Sequence, residues 1–194
     1  FRISFTGELS YEVNVPAHFG RHVWEQLYEA GIEFDITPYG TETMHVLRAE
    51  KGFIIVGQDT DGSVTPHDLN MSWVVGKKKD FSFIGQRGLS REDCQREGRK
   101  QLVGLKTLNP QTVLPEGSQI VSDANQTLPM AMQGHVTSSY HSAHLGHSIA
   151  LAVVKGGFNR MGEIVHCPLA DGSTISAEIV SSVFYDPDGD RQNV

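Results

Sequence analysis

The chain has 194 residues, 39% of them hydrophobic and 20% charged, enough for one large domain or two small ones with real cores. Its formal charge of −7 argues against a nucleic-acid partner held by phosphate neutralisation. No run of about 18 apolar residues and no charged-then-apolar leader is present, so a soluble, cytoplasmic protein without a membrane partner is expected. Cys94 and Cys167 form neither a Cys-x-x-Cys pair nor a dense framework, which suits a reducing compartment.

In chain order, alternation predicts a strand over residues 2–5, a turn at Thr6-Gly7-Glu8 and a second strand over 10–15. Tyr11, Val13 and Val15 then share one face, with Tyr11 directed inward, and Glu12 shares the other with Ser10 and Asn14. A carboxylate so placed can accept two parallel N–H bonds from a planar group; an ordinary solvated strand acid is the plainer reading. The chain opens at Phe1, without an initiator Met and at the edge of a strand, which suggests a piece of something longer. Residues 17–30 follow as an amphipathic helix with Phe19, Val23 and Leu27 four apart and Gly31 as its stop. A short apolar stretch over 32–36 ends at Pro38. A second helix is predicted over 41–51 with Gly52 after it, Met44 and Leu47 facing the core, and Glu42, Arg48, Glu50 and Lys51 pointing elsewhere. Residues 53–56 read as a buried strand, giving an α+β pattern.

The polar loop 58–68 hints at calcium through Asp59-Thr60-Asp61-Gly62, but no Glu stands where an EF-hand needs one. The charge run 77–80 reads as a solvated turn, and 84–97 as a charged helix stopped by Gly98. Beyond Arg99-Lys100, short strands are predicted at 101–106, 119–121, 131–137, 148–154, 163–166 and 174–184, separated by Gly, Pro, Asn and Asp. That texture predicts a small all-β barrel or sandwich, and a division of the chain into 1–98 and 99–194. His141, His144 and His147 step by three in a loop-to-strand segment, which does not keep them on one face; no metal is expected. No phosphate loop, nucleophile elbow or His-Glu-x-x-His occurs, and Ser181 and Ser182 have no assignable partner.

Several ordered segments together carry a family resemblance over essentially the whole chain. They are Phe5-Thr6-Gly7-Glu8 with Tyr11-Glu12, Leu47-Arg48-Ala49-Glu50-Lys51-Gly52, Gly57-Gln58-Asp59, Asp80-Phe81-Ser82-Phe83-Ile84-Gly85, Leu102-Val103-Gly104-Leu105, and Thr137-Ser138 with Leu145-Gly146 and Ile149-Ala150-Leu151-Ala152. The chain resembles the C-terminal part of the folate-binding aminomethyltransferases, the glycine-cleavage T-protein family. The wording from Met44 to Gly62 and the ending Val183-Phe184-Tyr185-Asp186-Pro187 are most similar to its amine-oxidising branch, whose members are subunits of a hetero-oligomeric oxidase. The resemblance implies an α+β fold with a ferredoxin-like, aminomethyltransferase-type folate-binding region followed by the β barrel.

It further implies that tetrahydrofolate is the cofactor of this region and that Glu12 holds its pterin ring. Glu8 either touches folate or fixes the turn through backbone N–H groups. Tyr185 lies near a C-terminal ligand segment of the family, a barrel-rim position being the equal alternative. Arg48 is implied to be a helix residue paired with a neighbouring acid. Met44 stands where the glycine-cleavage branch has an arginine, which puts one folate-tail contact of that branch in doubt. The acid near the folate N5 atom belongs to an N-terminal region that this sequence does not contain, so no catalytic residue is expected here and the chain by itself is expected to be inactive. FAD, FMN and NAD would belong to other parts of the oxidase complex, since no dinucleotide fingerprint is present. The alternatives are a glycine-cleavage-type aminomethyltransferase and a non-catalytic module that serves only assembly.

Overall fold

The computed structural model describes residues 1–76 and 78–193. Lys77, the first residue of the 77–80 charge run, lies outside them; Lys78, Lys79 and Asp80 are exposed. The architecture is mixed α+β, with helices and loops first and a six-stranded antiparallel sheet after them.

The sheet begins where the sequence turns apolar. Its strands are β1 (Lys100–Thr107), β2 (Gln119–Ile120), β3 (Gly134–Ser142), β4 (His147–Lys155), β5 (Ile164–Pro168) and β6 (Thr174–Val180). Their order is β2-β3-β4-β1-β6-β5, which leaves β2 and β5 at the edges. Val121, just past β2, exchanges 2.9 Å backbone bonds with His166 of β5, so the two edges meet and the sheet closes into a barrel. Val103, Leu105, Leu114, Ile120, Val136, Ala152, Val165 and Ile179 fill the interior. Cys167 lies among them, and burial pushes its thiol up to about 12, so it behaves as a small apolar side chain. Leu102, Leu151 and Val153 point outward yet are also buried, against Ile54, Leu69 and Phe184. Burial on both faces explains why β4 reads as an unbroken apolar run rather than an alternation.

The first part of the chain departs from the predicted pattern, for reasons its hydrogen bonds make clear. Among the described residues no strand precedes Lys100, so a ferredoxin-like sheet is not formed by residues 1–98 of this chain. Residues 1–15 follow the course of a hairpin, with the Glu12 N–H on the Phe1 carbonyl and the Phe1 nitrogen donating to the Glu12 carbonyl, both at 2.8 Å, but one such reciprocal pair does not make a ladder. Tyr11, expected inward, is 68% exposed, and Val13 and Val15 are exposed too, because no second layer covers that face. In the segment 32–36, Ile32–Phe34 is instead a 3₁₀ turn closed by Asp35 in the left-handed region at φ 62°. In 53–56, the Phe53 N–H bonds the Arg48 carbonyl at the end of a helix and the Ile55 N–H bonds the Asp59 carboxylate, so neither is free for a ladder.

Four α-helices are present among the described residues: α1 (Gly20–Gly31), α2 (Thr41–Glu50), α3 (Gln86–Leu89) and α4 (Glu92–Gln95). The charged helix expected over 84–97 is two single turns, because Arg91 leaves helical geometry at ψ 146° and restarts the chain as the cap of α4. No residue of α1 is buried; Trp24 and Leu27 stand 61% and 51% exposed. No helix among the described residues is long and apolar enough to cross a membrane.

The long loop before the sheet is tied down at one point. Arg99, immediately before β1, pairs with Asp68 at 2.7 Å, both side chains being more than nine-tenths buried. Leu102 then donates its N–H to the Asp68 carbonyl at 2.8 Å. Burial opposes the charge on Asp68, but Arg99 and the N–H and hydroxyl of Thr65 outweigh it, so its carboxyl is held below the usual range. A carboxyl depressed in the folded state contributes stability that is complete above its unfolded value, about 3.9, and is lost as pH falls through the folded one. The melting temperature should therefore fall as pH drops below about 4. Asp68→Asn should melt lower than the parent at pH 7 and converge with it in acid. Parallel melting curves across that range, with a constant gap, would contradict the assignment.

Candidate functional site

The last turn of α2 and its capping residue Lys51 place three charged side chains in the interior, contrary to the expectation that they point away from the core. Arg48, Glu50 and Lys51 are 0%, 3% and 7% exposed, whereas Glu42 in the first turn is exposed as expected. Burial of that kind requires a partner for each charge.

For Arg48 the partner is Asp59, at 2.5 Å between Nη1 and Oδ2, with side chains 1% and 0% exposed. Its Nη2 donates to Ser138 Oγ at 2.7 Å. Asp59 accepts further bonds from the Ile55 N–H at 2.8 Å, the Thr137 hydroxyl at 2.5 Å and the Ser138 hydroxyl at 2.7 Å. Two adjacent strand residues can reach one carboxylate because the β3–β4 register shifts between Val136 and Ser138. Such a bulge turns consecutive side chains toward the same side.

Glu50 accepts the Ser142 hydroxyl at 2.6 Å, and its carbonyl receives the Phe184 and Tyr185 N–H groups at 2.8 and 3.1 Å. Gly52, at φ 72°, ends this region; a Cβ there would come within 2.5 Å of the Ser182 carbonyl, so only glycine permits the contact. Lys51 pairs with Asp186 at 2.7 Å and also bonds the Asp186 carbonyl. Its aliphatic stem lies against Gly7, where an added Cβ would sit 2.7 Å from Lys51 Cγ. Lys51 thus joins the C-terminal segment to the opening hairpin.

The three sequence-predicted site residues divide into a pair and a single. Glu8 accepts from Arg191 Nε at 2.6 Å, and the Arg191 guanidinium lies 5.7 Å over the Tyr185 ring. Tyr185 also meets His144 edge-on at 4.5 Å. Glu8 is therefore engaged by a side chain from the far end of the chain rather than by turn N–H groups. Glu12 is exposed, and its carboxylate has no hydrogen-bond partner among the described residues.

Two clefts border the hairpin. One, of about 340 Å³, is walled by Phe5, Phe53, Trp73 and Val183 with Arg48 and Lys51 at its base. The other, of about 280 Å³, is polar and runs between Arg2, Glu8 and Ser10 on one side and Gln192 and Asn193 on the other. Glu12 lines neither. His141 and His147 turn to the hydroxyl and carbonyl of Ser148, and no His, Cys, Asp or Glu group among the described residues could hold a metal.

Sequence reasoning missed the burial of Arg48, Glu50 and Lys51 and the partners Asp59, Asp186 and Arg191. The strings Leu47-Arg48-Ala49-Glu50-Lys51-Gly52 and Gly57-Gln58-Asp59 did signal most of them, by carrying the family resemblance. Arg191 had no such signal.

The profile described as the GCVT N-terminal domain matches residues 1–79, and that of the glycine cleavage T-protein C-terminal barrel domain matches residues 100–186. The chain belongs to the glycine-cleavage T-protein family. It is 52% identical to the sarcosine oxidase subunit alpha of Corynebacterium sp. strain U-96, over 99% of this chain and 20% of that one. It is 40% identical to the subunit alpha of Rhizobium meliloti, over 100% of this chain and 20% of that one. The aminomethyltransferase of Nitrosomonas eutropha is 32% identical, over 94% of this chain and 47% of that one. The crystal structure of the glycine cleavage system aminomethyltransferase T from Bartonella henselae shares the fold, with a TM-score of 0.78 at 24% identity, over 94% of this chain and 48% of that one. The chain thus spans about a fifth of the sarcosine oxidase subunits and about half of the aminomethyltransferases it matches.

Removing one member of the Arg48–Asp59 pair strands the other charge in the interior, which costs about 3 to 5 kcal/mol. Arg48→Met should lower the urea midpoint accordingly. Arg48→Met with Asp59→Leu should recover part of the loss. A single variant as stable as the parent would contradict a buried, mutually dependent pair.

Proposed function

We propose that this chain is the C-terminal, folate-binding part of a sarcosine oxidase alpha subunit, with residues 1–98 completing the folate-binding domain and residues 99–194 forming its barrel. The observation that carries the reading is the 52% identity to the Corynebacterium subunit over 99% of the chain. Local chemistry supports it, since Glu12 offers a carboxylate with no protein partner among the described residues, on a hairpin whose Phe5 walls a cleft with Phe53 and Trp73. A pterin presents an edge of adjacent N–H donors, which suits a free carboxylate, and a flat ring, which suits an aromatic-walled cleft nearby, although Glu12 itself does not line that cleft.

When bound, tetrahydrofolate would supply the amine that takes up the one-carbon unit released by oxidation of the N-methyl group. The role of this chain is recognition. Glu12 holds the pterin edge, and Glu8 and Tyr185, which both meet Arg191, support the hairpin that carries it. The acid that moves protons at the reacting nitrogen lies outside these residues, and FAD, FMN and NAD would be held by other parts of a multisubunit, cytoplasmic complex. The reaction so served would be the oxidative demethylation of sarcosine by dioxygen, with glycine, hydrogen peroxide and 5,10-methylenetetrahydrofolate as products.

A stand-alone aminomethyltransferase is the second reading, favoured by the 32% identity to the Nitrosomonas enzyme. Met44, in place of the arginine of that branch, stands against it.

Tetrahydrofolate titrated into the full-length protein and into its Glu12→Gln variant tests the proposal. The neutral amide offers one acceptor oxygen and a donor NH2 where the carboxylate offers two acceptor oxygens, so it cannot accept two parallel N–H bonds and affinity should fall by about 1 to 3 kcal/mol. Equal affinity in the two proteins would remove Glu12 from the site.

A further inference from the structure

The exposed pair Arg191–Glu8 is one strand of a larger connection between the two ends of the chain. The Leu9 N–H donates to the Arg191 carbonyl at 3.0 Å, and the Arg2 guanidinium bonds the Gln192 carbonyl. The segment from Asp186 to Asn193 thus lies along the hairpin as a short strap.

What anchors the strap is a single carboxylate. Asp186 directs Oδ2 to Lys51 Nζ at 2.7 Å and Oδ1 to the Asp190 N–H at 3.0 Å. It adopts φ 49°, a left-handed conformation that Asp tolerates better than most residues. Gly189 at φ 76° completes the turn that brings Arg191 back over Tyr185. The Lys51 hydrogen bond holds the Asp186 carboxyl below its usual range, and the bond to Glu8 raises Arg191. Lys51 is meanwhile fixed by α2, whose end is seated on β3.

Besides the strap, the hairpin is held by the Lys51 stem against Gly7 and by the reciprocal backbone pair of Phe1 and Glu12. Its outer apolar residues are exposed, and Glu12 lies only four residues beyond Glu8. We infer that Arg191 is a positioning residue: through its side-chain bond to Glu8 and its backbone bond to Leu9 it sets the conformation in which the hairpin presents Glu12 to folate. This rests on the reading of Glu12 as the pterin carboxylate. The same bonds assign Glu8 to the strap rather than to the ligand.

The test uses the full-length protein, tetrahydrofolate as probe, and four forms: parent, Arg191→Glu, the exchanged pair Glu8→Arg with Arg191→Glu, and Glu12→Gln. Folate affinity is read by titration, and amide hydrogen exchange is read at Leu9 and Glu12. Charge reversal of an exposed pair should weaken folate binding about fivefold and speed exchange at both amides. The exchanged pair restores the attraction with the partners reversed, and should bring affinity and exchange back to the parent values within about twofold. Unchanged affinity in Arg191→Glu, with Glu12→Gln weakened, would overturn the strap and leave the folate reading standing. Failure of the exchanged pair to recover affinity would also overturn it, in favour of Arg191 or Glu8 touching folate directly. If Glu12→Gln binds as the parent does, the folate reading falls and amide exchange alone decides the strap: faster exchange reversed by the pair supports it, and unchanged exchange overturns it.

Discussion

An arginine and an aspartate with almost no exposed surface, Arg48 and Asp59, face one another at 2.5 Å between a helix end and a strand. Taking two charges out of water is unfavourable by several kcal/mol each, and attraction between them offsets this only when geometry is good and the remaining hydrogen-bonding groups are filled. Here Ser138, Thr137 and the Ile55 N–H fill the positions around the carboxylate, and the Phe53 carbonyl and Ser138 take Nη1 and Nη2 of the guanidinium, while its Nε is buried without a partner among the described residues. These bonds tie the end of α2 to β3. The positions of Glu50, Lys51 and the loop to Asp59 follow from that tie.

From that seat the structure extends outward by a chain of contacts that weaken toward the solvent. Glu50 and Lys51 receive the segment 184–186, burial around Lys51 and Asp186 is still nearly complete, and Arg191 and Glu8 at the far end are half exposed. Stability belongs to the barrel and to the polar seat, while the hairpin at the surface is free to receive a ligand. The gradient suits a recognition element, since binding loops are drawn from the less stable parts of a fold held by a rigid one.

Legibility in the sequence followed the kind of force involved. The barrel was readable because burial on two faces makes continuous apolar runs, and the prediction of 101–106 differs from β1 by one residue at each end. β3 was half missed, since Thr137-Ser138-Ser139-Tyr140-His141-Ser142 carries hydroxyls that face the charges of α2, and a buried polar strand has no hydropathy signature. The same mutual burial hid Arg48, Glu50 and Lys51, which spacing places on the solvent side of a helix. Alternation set Glu12 beside Ser10 and Asn14 but favoured a solvated acid, and only the family resemblance singled it out; the strand that alternation implied does not form. Arg191 bonds a residue 183 positions away, and nothing local announces such a contact.

A buried ion pair seats a helix, the helix holds the tail, and the tail and helix hold the hairpin that carries Glu12. A crystal structure of the full-length protein with tetrahydrofolate bound tests this most directly. The account predicts a Glu12 carboxylate oxygen within hydrogen-bonding distance of the pterin N–H edge, with the Arg191–Glu8 and Lys51–Asp186 pairs intact. A pterin edge held by a different carboxylate, with Glu12 left in solvent, would contradict it.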